Sequence, residues 1–331
     1  MIDRRTFLAG TGAVLLAAPL AAEAQPAGKV YRVGVIASTT SVAELAQHSG
    51  VGAFVQRLRE LGWNEGRNIV IERRTSEGKP ERFAPLTAEF VALGVDVIVL
   101  VSQAGAVAAR GVTATTPIVM VTSARPVEAG LAASFARPSG NVTGHTLFAE
   151  PQEEGKRLQL LKEAVPRASR IVYLGPEWAW ATDYGQEARN AARMLGLTLT
   201  FLPAQEQAQF LAAFEVMRRQ TPDALYAFGS AENFAFRQLI LDFATRERLP
   251  ALYAYRETVE KGGLMSYGAS LIALWQGAAR HVDKILRGAK PGDLPIERPT
   301  TFDLVINLKT AKALGLTIPK SLLLRANEVI Q

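Results

Sequence analysis

One alternation constrains this chain more than any other feature. Four β-rich runs separated by helical periods precede the stretch Ala136–Gly144, and four more follow it. The runs before it are Tyr31–Ile36, Asn68–Glu72, Val95–Val101 and Pro117–Val121. Those after it are Arg170–Leu174, Leu197–Leu202, Ala224–Phe228 and Ala251–Ala254. Between them, apolar residues recur at 3.6-like spacing, as in Phe54, Leu58 and Leu61, or Phe83, Leu86, Phe90 and Leu93. Glycines close several periods, at Gly62, Gly94 and Gly196. Strands alternating with helices at this spacing predict right-handed βαβ units and a mostly parallel sheet. Having the series twice predicts two sheets. Val95–Val101 is nearly all apolar, as befits a strand covered on both faces.

Ala136–Gly144 carries Pro138, Gly140 and Gly144, residues suited to tight turns. It is read as the first crossing between two lobes. Past Ala254 the chain offers a strand within Gly262–Gly268, an amphipathic helix from Leu271 to Ile285, a Pro-rich linker, one strand at Leu304–Ile306 and a short helix. Single elements cannot hold a core, so these dock on the existing lobes and the chain crosses more than once. The expected fold is α/β, with two doubly wound parallel-sheet lobes joined by a multi-crossing hinge. Lobe 1 is assigned residues 29–141 and about 258–298, lobe 2 residues 142–257 and about 299–331.

Residues 1–24 read as an export signal. Arg4 and Arg5 precede an apolar run from Phe7 to Ala22, and Ala22-Glu23-Ala24 has the small-x-small cleavage pattern. Asp3–Leu8 resembles a twin-arginine signal. No later stretch is apolar for 18 residues, so the expected mature protein is soluble and periplasmic. The net charge of +6 is spread without a Lys/Arg block, unlike a nucleic-acid-binding face. Cysteine is absent, which excludes disulfides, thiol catalysis, thiolate metal sites and a lipid-modified N-terminal Cys.

Four further stretches carry a resemblance: Leu61-Gly62-Trp63-x-Glu65-Gly66-x-Asn68-Ile69, Ala136–Gly144, Gly262–Gly268 and Leu304–Pro319. Together they resemble the ABC-transporter substrate-binding family that includes tryptophan- and tyrosine-binding members, of periplasmic binding protein type I fold. The resemblance runs from about Val30 to Ile330. It implies a receptor that captures a small molecule in the periplasm and hands it to an inner-membrane ABC permease. A monomer with no cofactor, no metal and no catalysis is expected. The chain departs from the family in its loops: Ala124-Arg125-Pro126 stands where Gly-Asp-Pro is common, and Ser102-Gln103-Ala104 where Gly-Thr-Pro is common.

Ligands of open parallel sheets bind outside the carboxyl ends of the strands. That rule selects the loops 37–41, 102–105 and 122–126 in lobe 1, and 175–184, 229–233 and 254–257 in lobe 2. Ser38, Thr39, Thr40, Ser102, Gln103 and Ser123 are short polar groups at strand-to-helix turns, where free N–H groups favour a carboxylate. The plain alternative is that they are helix caps. Trp178, Trp180 and Tyr184 can stack on a flat ligand or anchor their own loop. Glu232 and Arg256 lie just after strands and can pair with a ligand amine or carboxylate, or form a solvated or interlobe ion pair. The expected ligand is an amino acid or aromatic acid. His48, His145 and His281 are far apart in sequence, and His281 is expected at a surface or boundary. No GxSxG, P-loop or HExxH motif appears. An exported α/β hydrolase would need a nucleophile beside a base. A ligand-presenting sensor partner would share the fold.

Overall fold

Among the described residues, twelve strands divide between two sheets. The computed structural model describes residues 29–38, 42–45, 48–148 and 150–331. The expected export segment, Thr39 and Thr40 lie outside them.

The first sheet contains β1 (Tyr31–Ala37), β2 (Ile69–Thr75), β3 (Val97–Leu100), β4 (Ile118–Met120) and β5 (Val142–Gly144) in the order β2-β1-β3-β4-β5. All its pairings are parallel. The period-2 geometry of a strand explains the unbroken apolar runs. Val97 and Val99 join the core on one face, and Ile98 and Leu100 join the core on the other.

The second sheet contains β6 (Arg170–Gly175), β7 (Thr198–Pro203), β8 (Ala224–Ala227), β9 (Ala251–Tyr253), β10 (Met265–Ala269), β11 (Phe302–Asn307) and β12 (Glu328–Ile330), in the order β12-β11-β10-β9-β8-β6-β7. Only β10 and β11 pair antiparallel. Its two faces are likewise covered by separate cores.

Two expected lobe boundaries move. Val142–Gly144 is the edge strand of the first sheet, not the start of lobe 2. The turn at 136–141 precedes that strand, and the crossing follows it. Gly144 has φ +127, and a Cβ there would lie 2.1 Å from the Met120 carbonyl oxygen, so only glycine fits. The region 258–269 belongs to lobe 2, because β10 sits between β9 and β11. A Cβ on Gly268 would meet the Ala254 carbonyl oxygen at 2.0 Å, so this strand lies tight against its neighbour.

The helix Leu271–Leu286 returns to lobe 1. It packs on the helix Ser49–Glu60, with Trp275 edge-on to Phe54 at 5.8 Å. A Cβ on Gly50 would meet the Trp275 ring at 2.2 Å, so glycine sets how closely the helices approach. Trp63 donates from Nε1 to Asp283 at 2.8 Å, fixing the far end.

The chain therefore connects the lobes three times: after β5, at Ser270, and between Ile296 and β11. The connections are hydrogen-bonded to one another. Glu297 N–H donates to Gly144 and Thr146 N–H to Glu297, both at 2.9 Å, and Ser270 N–H donates to Thr301 at 3.0 Å.

Candidate functional site

The carboxyl ends of both sheets lie beside these connections, and the loops that leave them differ in chemistry. In lobe 1, Ser102 caps the helix Gln103–Val112, its hydroxyl accepting from Gly105 N–H at 3.1 Å. The capping role expected of such a residue is thus filled. Gln103 joins two loops: its Oε1 accepts from Ser123 Oγ at 3.2 Å and from Arg125 N–H at 2.7 Å. Ser123 is buried, and its carbonyl accepts from Leu147 N–H in the first connection at 2.8 Å. Ser38 follows β1 with a buried hydroxyl that has no hydrogen-bond partner among the described residues. Its carbonyl accepts from Ser76 and Gly78, anchoring the loop. Ser38, Ser102, Gln103 and Ser123 therefore line neighbouring loops of one sheet end.

Lobe 2 presents rings. Phe148, just past the first connection, stacks on Phe228 at 5.3 Å and 15°. Trp178 and Tyr184 stand against this pair, Trp178 edge-on to Phe148 at 5.6 Å and Tyr184 tilted to it at 5.5 Å. Phe148 and Phe228 are fully buried, while Trp178 and Tyr184 are half-buried. Burial, with Asp183 beside it, pushes the Tyr184 phenol up to about 12, so it stays protonated. The guanidinium of Arg125 reaches from lobe 1 to 5.8 Å over the Trp178 ring.

Trp180 has a different environment. It stacks on Phe201 at 4.9 Å and 3°, under the Arg189 guanidinium at 4.5 Å, and so anchors its own lobe. Arg256 pairs with Glu260 at 2.9 Å and with Glu328, away from the aromatic group. Glu232 is half-buried in the first turn of the helix Ala231–Ala235. In that helix the buried Asn233 donates to Leu174 and Phe228 carbonyls at 2.8 and 2.9 Å. It fixes the ends of β6 and β8 relative to each other.

Beneath the rings lies a buried charge network. Glu154 pairs with Arg157 and accepts from Tyr226 Oη at 2.8 Å, and Arg157 donates to the Tyr267 carbonyl at 3.1 Å. Burial pushes the Glu154 carboxyl up, against the pull of Arg157.

Sequence reasoning did not single out Phe148, Phe228 or Asn233. The strand-end rule selected the loop 229–233, which holds Asn233 and starts one residue after Phe228, but nothing local marked Phe148. It also separated the histidines. Contrary to expectation, His281 is buried, with its ring 4.8 Å from that of His145. Folding brings both beside Glu297, where the three could hold a metal ion. Two surface grooves of about 410 Å³ lie elsewhere on lobe 2. One runs along Arg189 and Leu199; the other lies at the amino ends of β9 and β10, near Lys309. Neither is lined by the strand-end loops.

Residues 32–330 match the family described as ABC transporter substrate binding protein. The tyrosine-binding protein of Clostridioides difficile (strain R20291) is 23% identical over 83% of this chain and 80% of its own length. A conserved domain protein from Vibrio cholerae O1 biovar El Tor superposes with a TM-score of 0.78 at 26% identity, over 91% of this chain and 100% of that one. A protein of Streptococcus pneumoniae solved in complex with L-Trp gives the same TM-score at 25% identity, over 91% and 99%. Among the described residues, no helix is long and apolar enough to cross a membrane. The two-sheet fold with three connections and the match along nearly its whole length agree: the chain belongs to the ABC transporter substrate-binding protein family.

Proposed function

We propose that this protein captures a small carboxylate, an amino acid or aromatic acid, between its lobes and delivers it to an inner-membrane ABC permease for import. Its first 24 residues direct export to the periplasm, and the mature chain begins at Gln25. The carrying observation is the pairing of unlike surfaces at the sheet ends. Lobe 2 offers the half-buried Trp178 and Tyr184 backed by Phe148 and Phe228. Lobe 1 offers hydroxyl, amide and guanidinium groups on Ser38, Gln103, Ser123 and Arg125. Such a pair fits a molecule with a flat apolar end and an anionic end, since aromatic faces take the first and polar N–H-rich turns the second. The L-Trp complex of one relative and the tyrosine-binding description of another support this choice of ligand class.

A ligand held by both lobes stabilises the folded chain by about 2.7 kcal/mol at a hundredfold excess over its dissociation constant. Thermal-shift screening of amino acids, aromatic acids, sugars and nucleobases tests the reading. Carboxylates, aromatic ones foremost, are expected to raise the melting temperature. A rise with sugars or nucleobases and none with carboxylates contradicts it. N-terminal sequencing of the periplasmic protein checks export: Gln25 is expected first, and a retained Met1 rejects the signal.

A further inference from the structure

We propose that His145, His281 and Glu297 form a binding site for a divalent transition cation of the zinc class, set among the connections between the lobes. One nitrogen from each imidazole and one Glu297 carboxylate oxygen lie within 4.8 Å of one another. The three come from different segments that the fold brings together. His145 follows β5 in the first connection and bridges Glu297 in the third. His281 lies on the helix Leu271–Leu286, which the second connection delivers to lobe 1.

The donor chemistry favours this. His281 Nε2 lies 3.1 Å from the Pro295 carbonyl and Nδ1 3.3 Å from the Gly277 carbonyl; with the proton on Nε2, which donates to the nearer carbonyl, Nδ1 is the nitrogen left to ligate. A ligating histidine whose second nitrogen donates to a carbonyl is the usual supported arrangement. His145 is buried with the Gly277 backbone beside its ring, and its Nε2 makes no hydrogen bond of ordinary geometry among the described residues, an uncommon condition for a buried polar atom. Its Nδ1 lies 3.9 Å from the Glu297 carboxylate. Room for the ring is specifically provided, because a Cβ on Gly277 would fall 2.4 Å from His145 Nε2. Glu297, with a side chain 41% exposed, supplies the open side. Zinc–nitrogen and zinc–oxygen bonds run about 2.0–2.2 Å, so binding draws the carboxylate inward over the two rings.

The ligand set selects the ion. Two imidazoles and one carboxylate suit zinc or nickel, whereas calcium and magnesium need a cage of oxygens. Burial foremost, then His281, Arg280 and Lys284, disfavours positive charge on His145, so the surroundings offer no general attraction for cations. The binding energy must come from coordination. A bound ion ties the first and third connections to the helix of lobe 1, and so stiffens the pivot between lobes.

The test uses tag-free, chelator-treated full-length mature protein and calorimetry with Zn²⁺, with Mg²⁺ as control. One Zn²⁺ per chain is expected, with a rise in melting temperature, and Co²⁺ should give the visible absorption of a low-coordinate nitrogen-ligated site. Glu297→Gln changes a half-exposed side chain and should fold normally while weakening Zn²⁺ by about tenfold or more. His145→Ala should remove stoichiometric binding, and His48→Ala should leave it unchanged. Absence of one-to-one Zn²⁺ binding, or binding equal in wild type, Glu297→Gln and His145→Ala, overturns the proposal.

Discussion

The two lobes expose the same ends of mostly parallel sheets, yet they build their loops from opposite materials. Lobe 1 joins its loops by hydrogen bonds through one side chain, Gln103, which holds Ser123 and Arg125. Lobe 2 joins its loops by ring packing over a buried ion pair, with Phe148, Phe228, Trp178 and Tyr184 above Glu154 and Arg157. The difference bears on recognition. A hydrogen-bonded rim can reorient small polar groups, whereas a packed aromatic wall over buried charges has little freedom. On the proposed reading, lobe 2 acts as the preformed half that selects shape, and lobe 1 as the half that answers charge.

The largest effect should come from the foundation of lobe 2. Arg157→Met leaves Glu154, 0% exposed, without its cation, and should cost about 3–5 kcal/mol in urea unfolding. The double variant Glu154→Gln with Arg157→Met should recover much of that loss. If Arg157→Met alone unfolds like wild type, the charge network does not support the wall.

Next comes the wall itself. Trp178→Ala should weaken aromatic ligands by about 1–3 kcal/mol in calorimetry and change aliphatic amino acids much less. Gln103→Ala should weaken both classes alike, by about 1 kcal/mol, because it loosens the rim that faces the charge. Equal losses for both ligand classes in Trp178→Ala would erase the division of labour.

The smallest effect is a control far from the cleft. Asp223 accepts from Ser169 N–H, Arg170 N–H and the Arg170 guanidinium at 2.9, 2.9 and 3.1 Å. The Ser169 N–H foremost holds its carboxyl well below the usual range. A depressed folded value means stability that is full above the unfolded carboxyl pKa and is lost as pH falls through the folded one. Asp223→Asn should lower stability by about 0.5–1 kcal/mol at neutral pH, flatten the acid limb below about pH 4, and leave ligand affinity unchanged.

Much of this architecture was legible in the chain, and the failures have physical causes. Val95–Val101 announced a doubly covered strand, and the helix from Leu271 showed its apolar stripe. The ownership of β5 and β10 was not legible, because a three-residue strand and a Gly-flanked strand carry no record of which sheet they join. Trp178 and Trp180 looked equivalent. Two residues apart on a helix they point about 160° away from each other, so one meets Phe148 and the other Phe201. Ser102 illustrates a different limit, since a cap and a ligand contact call for the same residue. The histidine pair was hidden because contact between His145 and His281 depends on where the helix Leu271–Leu286 docks.

On the proposed reading, the rim of lobe 1 answers a carboxylate while the wall of lobe 2 holds the flat end. Calorimetry with the carboxylate that raises the melting temperature most, run beside its decarboxylated analogue, tests this most directly. Saturable one-to-one binding of the acid is expected, with a loss of about a hundredfold or more, roughly 2.7 kcal/mol, when the carboxylate is removed. Equal affinity for the two would contradict it.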